Sequence, residues 1–323
     1  MAGKYHMPLS YCGIFILFIT VFIFSAPEAM AFKRQIDISL SGEGGEKTVP
    51  GEILDASHGG FGLSYTRYFS EIENGDYPYA LREFLQHPSR LMVGLRSEGL
   101  KAEGLTRLYS EEERMGSFIF GGMYYTDQED ATGFGIVFGS RGGEREEWDG
   151  TTLLARDDME GGEIGLQIFH YLGGRTRLEL ALISGSTREK DMAGFVTDDY
   201  DDGAISIGAS AVIDNIYISG HLEGGNREWN NSLRKQDTGH LDLTFAYYFT
   251  RQWGLVVALT GDSVEEGDMK ESTGTFSLGG EYYVRDYLSL NAALTSRTIE
   301  DSRPGWREEA KVSGIRLGLG VLF

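Results

Sequence analysis

The chain is nearly devoid of cysteine and poor in proline. Its 323 residues include one Cys and six Pro. The single Cys12 lies in the amino-terminal segment, so the remainder holds no disulfide, thiol nucleophile or Cys-based metal site. Absence of cysteine suits passage through an oxidising compartment. Long apolar runs are missing beyond the first thirty residues, and the mean hydropathy is −0.24. A helical membrane bundle is excluded, because each span needs about 20 consecutive apolar residues. There is no excess of positive charge. The formal net charge is −20, which removes the basic footprint of a nucleic-acid binder. No phosphate loop, nucleotide fingerprint or zinc motif occurs, and no cofactor is implied.

What the chain does have is glycine, aromatics and alternation. It carries 45 Gly, 17 Tyr and 18 Phe, with 24% charged residues. This composition suits many strands, aromatic belts and a polar interior. The alternation is plainest in Lys311 to Phe323, where Ile315, Leu317, Leu319, Val321 and Phe323 share one parity and Gly314, Arg316, Gly318 and Gly320 the other. A period of two means one apolar face and one small or charged face. An exposed apolar strand of this kind invites aggregation at a sheet edge. A closed membrane barrel removes that edge.

Residues 1–31 read as a secretory signal. Lys4 and His6 give a weakly positive start, Ile14 to Phe24 an apolar core, and Ala29-Met30-Ala31 a small-x-small cleavage site. Cys12 precedes the apolar core, which argues against a lipoprotein. Residues 32–323 then form one domain. Its first candidate strands are Arg34 to Ser41 and Gly59 to Phe69, separated by a Gly/Glu-rich loop from Gly42 to His58.

One stretch, residues 76–88, has helical spacing. Asp76 is a candidate cap, Pro78 sits near the first turn, Leu81, Phe84 and Leu85 share a side, and Pro88 ends it. It is either a plug or constriction helix, or an ordinary periplasmic connector. Walking back from Phe323, connections alternate between long and short. Glu300 to Glu308, Ser263 to Glu271, Gly225 to Gln236, Thr187 to Asp202 and Arg141 to Met159 are long; those at Arg285, Thr250, Asp214 and Gly173 are short. Bacterial barrels have short periplasmic turns and longer outer loops. Parity makes Leu91 to Tyr109 a single strand and the total fourteen, with twelve and sixteen open. The fold class is therefore an all-β, antiparallel up-and-down transmembrane barrel. Aromatics such as Phe169, Tyr171, Tyr247, Tyr248, Phe249, Tyr282 and Tyr283 gather near the short turns, as an interfacial belt requires.

With this signal, these alternating segments and the terminal Leu317, Leu319, Val321 and Phe323, the chain resembles the outer-membrane β-barrel proteins of Gram-negative bacteria, and specifically their porin-like members. The resemblance implies a bacterial outer-membrane location and passive diffusion of small hydrophilic solutes or ions. It further implies outer-membrane lipid, lipopolysaccharide and the barrel assembly machinery as partners. The rival readings are a non-transporting structural or surface-binding barrel with a filled lumen, and a barrel hydrolase.

If the apolar parity meets lipid, the other lines the lumen. The pore-lining candidates are then Arg96, Glu163, Gln167, Arg177, Glu179, His221, Glu223, Asp242, Glu281, Arg297 and Arg316. His221, Glu223, His240 and Asp242 form the one catalysis-like group. Hairpin pairing sets His221 near Asp242 and Glu223 near His240, the beginning of a general base, yet no nucleophile motif accompanies it. The expectation is that the protein is not an enzyme. Acidic stretches around Glu144 and Asp198 to Asp202 lack the spaced pattern of a calcium loop, and read as a solvated outer face.

Overall fold

The computed structural model describes residues 31–323 apart from 50, 51, 105–108, 127–130, 150, 231 and 233. The expected signal segment lies almost wholly outside the described residues, as does Cys12. The rest is an all-antiparallel sheet of fourteen strands that closes on itself, each strand paired with its sequence neighbours and β1 with β14. The strands are β1 (Ala31–Val49), β2 (Glu52–Glu73), β3 (Arg90–Gly104), β4 (Tyr109–Tyr125), β5 (Thr132–Asp149), β6 (Thr152–Leu172) and β7 (Thr176–Asp191), then β8 (Val196–Ile213), β9 (Ile216–Trp229), β10 (Lys235–Tyr248), β11 (Trp253–Glu266), β12 (Met269–Arg285), β13 (Leu288–Arg303) and β14 (Trp306–Leu322).

Closure is made by the terminal strand. Ile38 pairs with Leu319 and Ser41 with Arg316, and the Phe323 backbone N–H donates to the Arg34 carbonyl at 2.8 Å. One parity carries Leu40, Leu95, Phe120, Phe138, Leu166, Leu182, Ile207, Leu243 and Leu317, all large, apolar and exposed. Such a belt stands in lipid, since water would oppose so much apolar surface. The opposite parity is polar or small and faces the lumen.

Several segments read as loops are strand. The Gly42 to His58 stretch is the end of β1 and the start of β2. Ser263 to Glu271 narrows to a turn between Glu266 and Met269, and Glu300 to Glu308 to one between Arg303 and Trp306. The acidic stretches are likewise in β5 and β8. The reason is physical. Above the membrane both faces of a strand meet water, so hydrophobic alternation disappears while backbone pairing continues. Cross-strand ion pairs support these extensions: Arg114 reaches Glu144 at 3.1 Å, and Arg156 reaches Glu144 at 2.9 Å. The expected count of fourteen matches the closed ring; one strand, β3, covers Arg90–Gly104 as expected, but it stops short of Tyr109, which opens β4.

Register breaks occur between Phe32 and Arg34, Glu147 and Trp148, Glu189 and Lys190, and Tyr283 and Arg285. All lie near strand ends. Among the described residues the ladders through the apolar belt are therefore unbroken, and no side opening interrupts the wall.

Candidate functional site

The lumen has two unlike zones, and the β2–β3 connection creates the difference. Residues 76–88 fold as a 3-10 turn, Tyr79–Leu81, followed by α1, Arg82–Gln86. Asp76 does not cap it: the N-cap is Pro78, with no side-chain cap bond. The fixed φ of proline pre-sets the first turn instead. The helix stops at His87, which is left-handed (φ 49); the following Pro88 disfavours the right-handed helical region there.

This segment folds into the barrel at the end that carries the short turns and packs against the opposite wall. Leu81 is 2% exposed and packs with Val212, Ala246 and Tyr248 of β8 and β10. Those strands lie across the ring from β2 and β3, which hold the segment's ends. Phe84 meets the rings of Tyr171 and Tyr217 edge-on at 5.4 and 5.6 Å. Polar groups tie the segment to its own flanks and to the neighbouring turns. Arg82 donates to the Asp286 carbonyl at 2.5 Å, to Asn74 Oδ1 at 2.8 Å and to the Tyr79 carbonyl at 2.9 Å. Burial pushes the Arg82 guanidinium below its usual pKa, against the pull of Tyr283 and Asp286. The Tyr79 backbone N–H donates to the Arg251 carbonyl at 3.0 Å, and the Arg251 side chain donates back to the Gly75 carbonyl. On the near wall the Tyr68 hydroxyl lies 2.8 Å from Glu83 Oε2, and Glu83 also pairs with Arg90.

The aromatics near the short turns divide by parity. Tyr247, Phe249 and Trp253 point outward, and Trp253 stacks on Tyr282 at 4.2 Å, which is belt behaviour. Phe169, Tyr171, Tyr248 and Tyr283 point inward and are buried around the plug. The expectation that all of them form the belt is therefore corrected: half of this clustering serves the plug. Glycine makes room for the rings. A Cβ on Gly254 would come within 2.5 Å of the Tyr248 ring, so that ring lies flat against the neighbouring strand.

All eleven candidates stand on the lumen-facing parity, as the register requires: Arg96 pairs with Gly62, Glu163 with Gly139, Gln167 with Gly135 and Arg177 with Ser210. Glu179 pairs with Gly208, His221 with Asp242, Glu223 with His240, Glu281 with Asn291, Arg297 with Val312 and Arg316 with Ala293. They do not form one site. Arg177 and Glu281 belong to the plugged mouth, next to Phe84 and Tyr283 respectively. Arg96, Arg297 and Arg316 line a recess of about 320 Å³ with His58, on the wall from β13 through β3. Glu163, Glu179, Glu223 and Asp242 occupy the facing wall, from β6 through β10. The recess also holds Glu98, paired with Arg96, and the facing arc also holds Arg177 and Arg227, paired with Glu179 and Asp202, so both walls carry charges of both signs. The side chain of Glu163 lies over Gly139, where a Cβ would meet its Cγ at 2.6 Å, and this holds it against the wall.

The recess contains groups that the sequence reading missed. Glu43, 6% exposed, accepts a hydrogen bond from Thr295 Oγ1 at 2.7 Å and lies 3.4 Å from His58 Nδ1. Both Glu43 and His58 lay in the stretch taken for a loop; continued counting of parity through Gly42 would have placed them inward. The expected pairing of His221 with Asp242 and of Glu223 with His240 is the observed register. The imidazole bond goes elsewhere, however. His240 Nδ1 lies 2.7 Å from Asp262 of β11, a residue reached from the other side of β10. Pairing of one hairpin could not reveal it.

No family model and no curated relative matches the chain. Solved structures do. The chain is similar to the Pseudomonas putida toluene transporter TodX, with 12% identity, a TM-score of 0.55, and 92% of this chain and 90% of that one covered. A Pseudomonas aeruginosa FadL homologue gives 10% identity, a TM-score of 0.55 and 90% coverage of each chain. The Ralstonia pickettii toluene transporter TbuX gives 9% identity, a TM-score of 0.53 and coverage of 91% and 90%. What is shared at this identity is the fold: a closed antiparallel β-barrel of the bacterial outer membrane.

Proposed function

We propose that the protein is a passive outer-membrane channel for small polar solutes or ions, restricted at its periplasmic mouth by residues 76–88. The observation that carries this is the exposure of charged side chains inside the barrel. The lumen-facing side chains of Arg96 and Asp262 keep 60% and 58% of their exposure, which a filled interior would not leave them. Charged side chains along the lumen orient dipolar solutes and focus ions. On this reading outer-membrane lipid covers the belt, and solutes are the lumen's partners. The His221–Asp242 and His240–Asp262 pairs then contribute lumen charge and carry no catalysis. A hydrolytic activity lost on His240→Ala would overturn that part.

The test is conductance in planar bilayers. Wild-type protein is expected to give small single-channel steps, and a variant with 76–88 replaced by a short Gly/Ser turn several-fold larger ones. No steps from either protein would favour the non-transporting barrel. A second reading is passage of apolar solutes. It is favoured by the aromatic rings around the plug and by the description of TodX and TbuX as toluene transporters. Against it stand the charged lumen and the unbroken wall. Liposome swelling in sugars and amino acids, set beside toluene uptake by the same vesicles, separates the two.

A further inference from the structure

The lumen end opposite residues 76–88 also departs from an open tube. Lys47 of β1 donates to Glu111 Oε2 of β4 at 2.8 Å and lies 3.3 Å from Glu308 Oε2 of β14. Arg145 of β5 lies 2.8 Å from Glu111 Oε1. Yet β2 and β3 stand between β1 and β4 in the ring. Three strand spacings measure roughly 14 Å along a sheet. The Lys47–Glu111 bond therefore runs as a chord inside the wall, and the series Glu308, Lys47, Glu111, Arg145 joins β14 to β5.

The wall beneath the chord is covered. Register sets Leu54 beside Lys47, Ala102 beside Glu111, and Ala56 beside Ala102. All three have the lumen-facing parity, yet Leu54 is 0% and Ala102 2% exposed, and Ala56 is buried. Lumen-facing Arg96, nearer the middle, keeps 60% of its exposure. Alanine at 56 and 102 leaves the chord room to lie close. The β1–β14 seam is folded to match: a Cβ on Gly45 would collide with the Lys311 carbonyl.

Electrostatics point the same way. Burial raises the Glu111 carboxyl, but the Lys47 bond and Arg145 outweigh it and hold the group below the usual carboxylate range. Burial also raises the neighbouring Glu113; Arg145 opposes this, while Glu111 and Glu271 add to it. Glu271 belongs to β12, nearly opposite β4 in the ring. Facing walls thus approach here within reach of each other's field.

We propose that Lys47 and Glu111 form a clasp that holds the β1–β4 arc folded into the lumen, and that the passage it leaves sets a size limit for solutes at this end. The clasp is a second restriction in series with residues 76–88. Its geometry stands apart from the channel reading; its effect on solutes rests on that reading. Partly buried charges are screened little by salt, so the clasp holds at ordinary ionic strength.

The test compares the full-length barrel with Lys47→Met, Glu111→Gln and the double variant, each also with 76–88 replaced by a short Gly/Ser turn. Methionine keeps most of the lysine stem and removes its charge. Three quantities are read: single-channel conductance, the largest polyethylene glycol that enters, and hydrogen exchange of the amides at 53–57 and 101–103. With 76–88 replaced, either substitution should raise conductance about twofold or more and admit larger polymers. Exchange should quicken by at least about tenfold, the effect of losing a bond between charged groups. The double variant should match the singles, because all lose the same bond. Shifted mobility of unheated samples on gels verifies that each variant is a folded barrel. An unchanged polymer limit overturns the proposal, as do fully additive effects of the two substitutions. No conductance from any barrel removes the channel reading and the size limit with it; exchange then decides whether the clasp holds the arc.

Discussion

The mouth and the middle of this lumen are built from the same strands with the same parity, yet their side chains live in different solvents. At the middle, Arg96 and Asp262 are more than half exposed. At the mouth, Tyr171 and Tyr248 are 1% and 6% exposed. The backbone does not make this difference; thirteen residues between β2 and β3 do. Parity decides where a side chain points, and whatever lies across the lumen decides whether it is wet. Long-range electrostatics should follow the same division. The middle is a water-screened field, whereas the mouth is a packed interface with a few bonded charges.

Changes at the mouth should have the largest effects. Leu81→Asp would place an uncompensated charge against Val212 and Ala246, at a cost on the order of 3–5 kcal/mol. The plug is expected to leave, and conductance to approach that of the variant lacking 76–88. Unchanged conductance would mean the plug is not the restriction. Arg82→Ala removes three hydrogen bonds, one to the β12–β13 turn at Asp286 and two within the connector, and should cost about 1–3 kcal/mol, read as faster protease cleavage within 76–88. At the middle, Arg316→Gln should alter stability by less than about 0.5 kcal/mol while shifting reversal potentials toward cation preference. A loss of folded protein would show that the middle, too, is packed. Smallest of all, raising salt to about 1 M, where the screening length is about 3 Å, should weaken ion selectivity and leave plug protection from protease almost unchanged.

Much of the fold was legible because membrane and lumen impose opposite demands on alternate residues. The segments through the belt, such as Leu241 to Phe249, announce themselves by this alternation. The signal faded where the solvent became the same on both faces, and there strand was read as loop from Gly42 to His58. The candidate site was legible in direction but not in neighbourhood. Register along one hairpin gave the pairing of His221 with Asp242. The bond from His240 to Asp262 depends on the second neighbour of β10, and the meeting of Phe84 with Tyr217 on a segment crossing the ring. Aromatic residues near a turn have two uses, belt and plug packing, and only their parity distinguishes Tyr247 from Tyr248.

The plug has a consequence for how the molecule is assembled and how stiff it is. Its bonds join residues far apart in the chain: Arg82 with Asp286 across 204 positions, and Arg251 with Gly75 across 176. Such bonds form only after the intervening strands have found their places, because loop-closure entropy must be paid before remote contacts reward it. Docking of residues 76–88 therefore comes late, and acts as a chemical record that the ring has closed in register. Once in place it works as a cross-brace. It ties β2 and β3 to the opposite arc, and a ring so tied resists being squeezed into an oval by the lateral pressure of the surrounding lipid.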